Sequence, residues 1–179
     1  MKINPNLSGI GNVLGLINAA NPNRNFTSAQ VRVVSVTPRI PDANPYNSQA
    51  VLSGTSTGPY KNNQTVFYDR RPITEAVESP TVSYQVTAET SFEELLIEVC
   101  DNLNIVSSDV ELVDFHTEMD STVSSMRLQP ITNSLLYADS FDITLVWTGE
   151  DAMEGVALLG IAEELDKLIN VTMPSRGYM

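Results

Sequence analysis

The segment SFEELLIEVCDNLNIVSSDVELVDF, residues 91–115, decides the fold class of this chain. Ser91 followed three residues later by Glu94 forms a capping box, which is typical of a helix N-terminus. The apolar residues of the segment then recur with helical spacing, at Phe92, Leu95, Leu96, Val99 and Leu103. After a polar turn, residues 110–115 have the composition of a strand. A capped helix that leads into a strand predicts an α+β protein.

A weak internal duplication extends this pattern along the chain. The heptapeptide at residues 25–31 aligns with that at residues 104–110, and each follows a helical pattern and opens a strand-like run. Further on, Tyr60 and Tyr137 each stand six residues before an apolar strand residue, so the offset changes only from 79 to 77 residues. We therefore predict a strand-rich α+β fold of two degenerate helix-strand-strand-strand repeats plus a C-terminal helix.

The other elements follow from apolar periodicity and turn residues. Strands are predicted at residues 31–36, 49–54, 65–70, 82–86, 110–115, 125–128 and 142–147. A first helix over residues 8–20 is weaker, because each of its glycines lowers helix propensity by about 1 kcal/mol. A final helix is predicted over residues 157–169, where an apolar stripe lies opposite acidic residues. This stripe would pack on its own domain or lie in a groove on a neighbour.

These elements predict four segments in sequence order. They are an N-terminal arm and first helix (1–25), a first, basic strand unit (26–80), a second, acidic helix-strand unit (81–150), and a C-terminal helix and tail arm (151–179).

Charge is divided unevenly along the chain. Residues 1–72 hold seven Lys and Arg against two acidic residues, whereas residues 73–179 hold three against twenty, within a net charge of −12. Long-range fields steer association, and a basic copy docking on the acidic copy of the next subunit would build rings or arrays. The candidate interface residues are Arg32, Arg39, Lys61, Arg70, Arg71, Leu158, Ile161, Leu165, Leu168 and Tyr178.

Four side chains in the acidic half are candidate metal ligands. Asp114, His116, Glu118 and Asp120 would share one face of a continued strand, and carboxylates with an imidazole could hold a divalent cation. No glycine turn of the calcium-loop type accompanies them. We interpret the segment as a solvated, acidic strand end and predict neither a metal nor a cofactor.

Catalytic groupings are equally sparse. His116 is the only histidine, so a Ser-His-Asp or Cys-His arrangement would have to combine it with a nucleophile that no motif marks. The sole cysteine, Cys100, lies on the apolar face of a predicted helix, which indicates a packed thiol. We predict that the protein is not an enzyme.

Nucleic acid and membranes are not expected partners. A net charge of −12 opposes binding to phosphate backbones, which depends on basic side chains. No stretch approaches the roughly 20 apolar residues that span a bilayer. The apolar run at residues 7–20 is broken by glycines and asparagines, so an export signal is not expected.

In several segments the chain resembles an uncharacterised family of virion structural proteins of large tailed bacteriophages. The segments are LIN (16–18), FT (26–27), QAVLSGT (49–55), GPY (58–60), TVFYDR (65–70) and LNIVSSDV (103–110). In that family a polar Gly-Tyr turn precedes a Val-rich strand ending in Tyr-Asn-Arg, and here Asp69 replaces the asparagine. The resemblance covers roughly residues 13–147 and carries no catalytic motif. It implies a particle component without specifying which one.

The sequence thus leads to an assembly role. We expect a non-enzymatic virion protein, made in the bacterial host cytoplasm, that acts as a head decoration or lattice-bound accessory protein. Its partners would be other virion proteins, either capsid or tail subunits, and further copies of itself in an oligomer or lattice. One alternative is a tail, collar or baseplate component. Another is a glycan- or cation-binding module that uses the hairpin loop at residues 58–63 and the acidic segment 114–120.

Overall fold

The computed structural model describes residues 2–40, 45–76, 82–117 and 122–149. Within these ranges the chain is a strand-rich α+β protein, as predicted. Its helices are α1 (Gly9–Ala20) and α2 (Phe92–Leu103). Its strands are β1 (Val31–Pro38), β2 (Ser48–Gly54), β3 (Gln64–Tyr68), β4 (Arg71–Pro72), β5 (Ser83–Val86), β6 (Val110–Thr117), β7 (Val123–Pro130), β8 (Tyr137–Ala138) and β9 (Phe141–Trp147). The predicted C-terminal helix lies outside the described residues, as do the five interface candidates from Leu158 to Tyr178.

The chain forms two compact units, each built from separate stretches of sequence. Unit 1 comprises Met1–Glu78, Val99–Glu111 and Gln129–Ser140. Unit 2 comprises Ser79–Glu98, Leu112–Leu128 and Phe141–Met179. The predicted segments, with boundaries after residues 25, 80 and 150, are each continuous in sequence. Each compact unit instead combines three separate stretches of the chain.

Unit 1 contains a three-stranded antiparallel sheet in the order β1-β2-β3. Val31 lies opposite Gly54, and the register shifts after Val33, which marks an irregularity in β1. The polar loop at residues 58–63 lies between β2 and β3, where the sequence predicted a hairpin loop. β2 is the central strand, and Ser48, Ala50 and Leu52 are buried in alternation, so one face of the strand is covered. A short parallel pair, β4 with β8, also belongs to this unit.

Two asparagines hold α1 to the segments that precede and follow it in the same chain. Asn12 is buried, and its Nδ2 lies within 3.0–3.1 Å of three carbonyl oxygens of residues 4–8 while its Oδ1 accepts from Asn4 N at 2.7 Å. Asn18 pairs with both backbone groups of Phe26, at 2.8 and 2.9 Å. These bonds, with buried Val13, hold a helix whose glycines make it a poor helix former in isolation.

Unit 2 contains a four-stranded sheet in the order β5-β9-β7-β6. β9 alternates strictly, so that Ile143, Leu145 and Trp147 are buried and the residues between them are not. β5 runs parallel to β9 on one side, and β7 runs antiparallel to it on the other. The indole Nε1 of Trp147 donates to Ser124 Oγ at 2.7 Å, which satisfies its one polar group inside the core.

The capping box predicted for α2 is present. Glu94 N donates to Ser91 Oγ at 3.2 Å, and Ser91 N donates back to Glu94 Oε2 at 3.1 Å. Cys100 is buried, as its place on the apolar stripe predicted. Within the described ranges, no helix is both long and apolar enough to cross a membrane.

Candidate interaction surface

The most deeply buried acidic group in the described part of unit 1 organises the backbone around it. The carboxylate of Asp109 accepts hydrogen bonds from Ser134 Oγ and, at 2.8 Å, from Leu136 N. Gly9 lies so close that a Cβ there would overlap the same carboxylate. Tyr137 Oη accepts from Val106 N at 3.0 Å on the same turn. The hydroxyl and the amide that donate to Asp109 lie 25 and 27 residues away in sequence, so the carboxylate joins two distant segments of unit 1.

The candidate metal ligands are only partly within the described residues. Asp114 and His116 are exposed on β6, and Glu118 and Asp120 lie outside the described ranges. Arg127 Nη1 lies 3.2 Å from Asp114 Oδ2, and its Nε lies 2.9 Å from Asp142 Oδ1. The hydrogen bond and charge of Asp142, followed by the charge of Asp114, raise the pKa of the Arg127 guanidinium. Among the described residues, no group of three or more His, Cys, Asp or Glu side chains is placed to hold a metal.

Arg70 and Arg71 make hydrogen bonds within unit 1. Arg70 Nε donates to Ser48 Oγ at 2.8 Å. Arg71 Nη2 donates to the carbonyl of Glu75 at 2.9 Å, and its backbone N donates to Leu136 O at 2.8 Å. These contacts join β3 and the segment after it to the rest of unit 1.

The other three basic candidates differ in burial, and Arg39 is half-buried. Arg32 and Lys61 are exposed. The guanidinium carbon of Arg39 lies 5.0 Å from the ring centroid of Phe67, which is a cation–π distance. The structure therefore distributes the predicted basic patch over β1, the hairpin loop and the end of β3.

An apolar groove separates the C-terminal half of α1 from β3. One part of it encloses about 500 Å³. Its lining residues are Val13, Leu16, Ile17, Ala20, Asn21, Tyr46, Val66, Phe67, Tyr68 and Asp69. Consecutive residues of β3 line this part of the groove, although their side chains point to opposite faces of the sheet. This part of the groove therefore runs along the edge of the strand.

The groove continues past Ile17 and Val66, which line both of its parts. The second part encloses about 430 Å³, and Leu14, Phe26 and Leu52 contribute apolar surface to it. Its basic lining residues are Arg24 and Lys61. We call the two parts together the α1–β3 groove.

Three large apolar side chains of the groove remain substantially exposed: Leu16 at 41%, Tyr46 at 42% and Phe67 at 42%. Scattered apolar side chains need no explanation, but a contiguous exposed patch marks an interaction site. In the sheet of the described residues β3 has a single neighbour, β2, so its outer edge carries backbone groups that the sheet leaves unpaired. The surface is suited to binding another polypeptide.

Burial also affects a tyrosine at this site. Removal from water raises the pKa of the Tyr68 hydroxyl to about 12. The positive charge of Arg70 partly opposes this rise, and the negative charge of Asp109 adds to it. Tyr68 Oη has no hydrogen-bond partner among the described residues. The hydroxyl therefore stays neutral across the physiological range and supplies no general base.

Lys61 was predicted from the sequence as an interface residue, but the groove it lines was not. A usable signal was Leu16, an apolar residue outside the stripe formed by Ile10, Val13, Leu14 and Ile17. An apolar residue on a second face of a short helix indicates a second contact surface.

The chain belongs to a family of unknown function (DUF7941), and the match spans residues 6–168. No curated protein and no solved structure matches the chain.

Proposed function

We propose that this protein is a non-enzymatic structural component of a tailed bacteriophage virion, a head decoration or lattice-bound accessory protein. The observation that carries the proposal is the α1–β3 groove, an open apolar surface beside an edge of β3 that no strand of the described residues covers. Lattice proteins need such surfaces because each copy must bind its neighbours. The sequence resemblance to virion structural proteins points in the same direction.

The proposal includes two degenerate repeats in the chain. α1 and α2 each contain 12 residues, and three strands that lie side by side in chain order follow each helix: β1-β2-β3 and β6-β7-β9. β1 and β6 begin at the last residues of the matched heptapeptides, 25–31 and 104–110. In each heptapeptide the sixth residue donates its N–H to the third residue's carbonyl, at 3.0 Å for Gln30 and 3.1 Å for Asp109. A duplication accounts for these matches better than chance similarity of short turns.

Charge supplies the second element of the proposed assembly. The exposed Arg32 and Lys61 belong to the basic part of the chain, and twenty acidic residues follow position 72. A contact between the basic part of one copy and the acidic part of the next is heterologous, so repetition gives a ring or an array. Charges at such a contact are screened by salt beyond the Debye length.

Sedimentation velocity of the purified protein at low and near-molar salt tests this assembly. We expect a larger species at low salt and a smaller one at high salt, because screening weakens docking between opposite charges. A sedimentation coefficient that is the same at both salt concentrations would contradict charge-driven docking.

A further inference from the structure

We propose that the α1–β3 groove binds the C-terminal segment, residues 157–169, of a second copy of this chain. This inference rests on the proposed function, because it identifies the contact by which one copy of a lattice protein holds the next. The groove lies within the described residues, and the segment lies outside them.

The apolar pattern of the segment matches a groove. Leu158, Ile161, Leu165 and Leu168 recur at i, i+3, i+7 and i+10, which is the spacing of anchors on one face of a helix. Thirteen helical residues would extend about 20 Å. The groove offers two adjoining apolar volumes, of about 500 and 430 Å³, that can receive successive anchors.

Charge favours the same pairing. The groove contains Arg24 and Lys61 at one end, in the basic part of the chain. The segment, residues 157–169, contains three acidic residues, Glu163, Glu164 and Asp166, and one basic residue, Lys167. Its net charge of −2 is opposite in sign to the charge of Arg24 and Lys61, which favours the pairing.

The open edge of β3 gives a further reason for an occupant. Proteins protect such edges from uncontrolled pairing, and covering the edge with a helix is one of the ways in which they do so. In the described residues β3 has only β2 beside it in the sheet, and the groove runs along its other side. A helix in the groove would cover Leu16, Tyr46 and Phe67 together with this edge.

The occupant is assigned to a second copy because exchange of terminal segments links subunits in a chain. Each copy has one groove and one segment, so binding in trans leaves a free groove at one end and a free segment at the other. Such a contact is heterologous and propagates or closes into a ring. Binding within one copy would instead consume both surfaces and leave nothing to link.

Two variants of the full chain separate these arrangements. Leu16→Glu places a charge in the groove at a position that is already 41% exposed, and Leu165→Glu places one on the apolar face of the segment. Ile97→Glu is the matched control, because Ile97 is a 48% exposed helix residue in unit 2. Self-association would be measured by sedimentation equilibrium over a range of protein concentrations, and circular dichroism would confirm that each variant is folded.

We expect wild type and Ile97→Glu to self-associate. Leu16→Glu and Leu165→Glu should each weaken association by about tenfold or more, because a charge at a buried anchor must be desolvated. An equimolar mixture of the two defective variants should form dimers and nothing larger, since one intact groove then meets one intact segment. This complementation distinguishes specific docking from general damage to folding.

The inference is overturned if wild type stays monomeric at every concentration, if both groove and segment variants associate like wild type, or if the mixture forms no dimer. None of these outcomes bears on whether the chain is present in virions. Absence from virions would remove the proposed function while leaving the measured self-association intact. The two failures are therefore distinguishable.

Discussion

At the scale of single residues, Gly54 and Gly15 have opposite surroundings. A Cβ added to Gly54 at the end of β2 would overlap the backbone carbonyl of Tyr60, which cannot move without disturbing the hairpin loop. A Cβ added to Gly15 in the exposed middle of α1 would meet no atom within 4 Å. We expect Gly54→Ala to destabilise the protein by about 1–3 kcal/mol through overpacking.

Gly15→Ala is the matched control, and it should stabilise by about 0.5–1 kcal/mol because alanine favours the helix. Urea unfolding monitored by circular dichroism would give both free energies of unfolding. Equal changes in the two variants would show that the close approach at Gly54 is not the cause.

Ionisable groups that burial keeps neutral predict a loss of stability in alkali. Burial, followed by the charge of Asp101, raises the pKa of the Cys100 thiol from 9.0 to about 12. Burial raises the pKa of Tyr68 from 10.0 to about 12, and it also raises that of Tyr137. Above pH 9 the unfolded chain begins to release these protons while the folded chain retains them. The stability that the fold gains from these neutral groups is therefore fully present below pH 9 and declines towards pH 12.

Urea unfolding of wild type and Cys100→Ala at neutral and mildly alkaline pH would measure this decline. The free energy of unfolding of wild type should fall as pH rises, and the slope should be shallower in Cys100→Ala because one of the three groups is gone. Equal slopes in the two proteins would rule out the thiol as a source.

The surroundings of a residue could be predicted where residues nearby in sequence determine them. Burial of Cys100 was predictable because the helical stripe in its own segment determines it. The contacts of Arg70 with Ser48 and of Arg71 with Leu136 were not, since they join residues 22 and 65 positions apart. Sequence pattern gives a residue's face on its own element but not what lies opposite it.

At the scale of elements, the capping box of α2 is the most specific local feature. Ser91→Ala removes the hydroxyl that accepts from Glu94 N, and we expect it to cost about 1 kcal/mol of unfolding free energy at neutral pH. Hydrogen bonds from the backbone and side chain of Ser91 lower the pKa of Glu94, so the cap stabilises above the ordinary carboxyl value of 4.5 and weakens as pH falls below it.

The difference in the free energy of unfolding between wild type and Ser91→Ala should therefore be smaller in acid than at neutral pH. Ser56→Ala, an exposed turn serine, serves as the control and should lie within about 0.5 kcal/mol of wild type. A difference that is independent of pH would show that Glu94 does not take part in the cap.

The longer helices and strands could be predicted well because their periodicity and caps are local. The strand starts at Val31 and Val110 coincide with prediction, as do the element ends at Ala20, Gly54, Val86 and Trp147, and the other predicted boundaries differ by one or two residues. β4 and β8 were missed, because two-residue strands carry no periodic signal and form only where distant segments meet. The bonds by which Asn12 holds α1 to residues 4–8 could not be predicted, because helix propensity does not include side-chain bonds to preceding residues.

At the scale of the whole molecule, the fold class followed from sequence but the compact units did not. Residues 99–111 and 129–140 join unit 1 through contacts with segments far away in sequence. The parallel pairing of β5 with β9 is also non-local, as it joins segments about 60 residues apart. The α1–β3 groove is likewise defined by elements that meet only in the folded chain. The candidate ligands Glu118 and Asp120 and the C-terminal helix predicted for residues 157–169 lie outside the described residues, so they remain predictions.

The central claim is that this chain is a lattice-bound virion component. Quantitative mass spectrometry of purified phage particles, with the major capsid protein as internal reference, tests it most directly. We predict a copy number comparable with that of the capsid or tail-tube lattice, because a lattice accessory protein occupies each repeating unit. A few copies per particle would instead assign the chain to the collar or baseplate. Absence of the chain from purified particles would contradict the account.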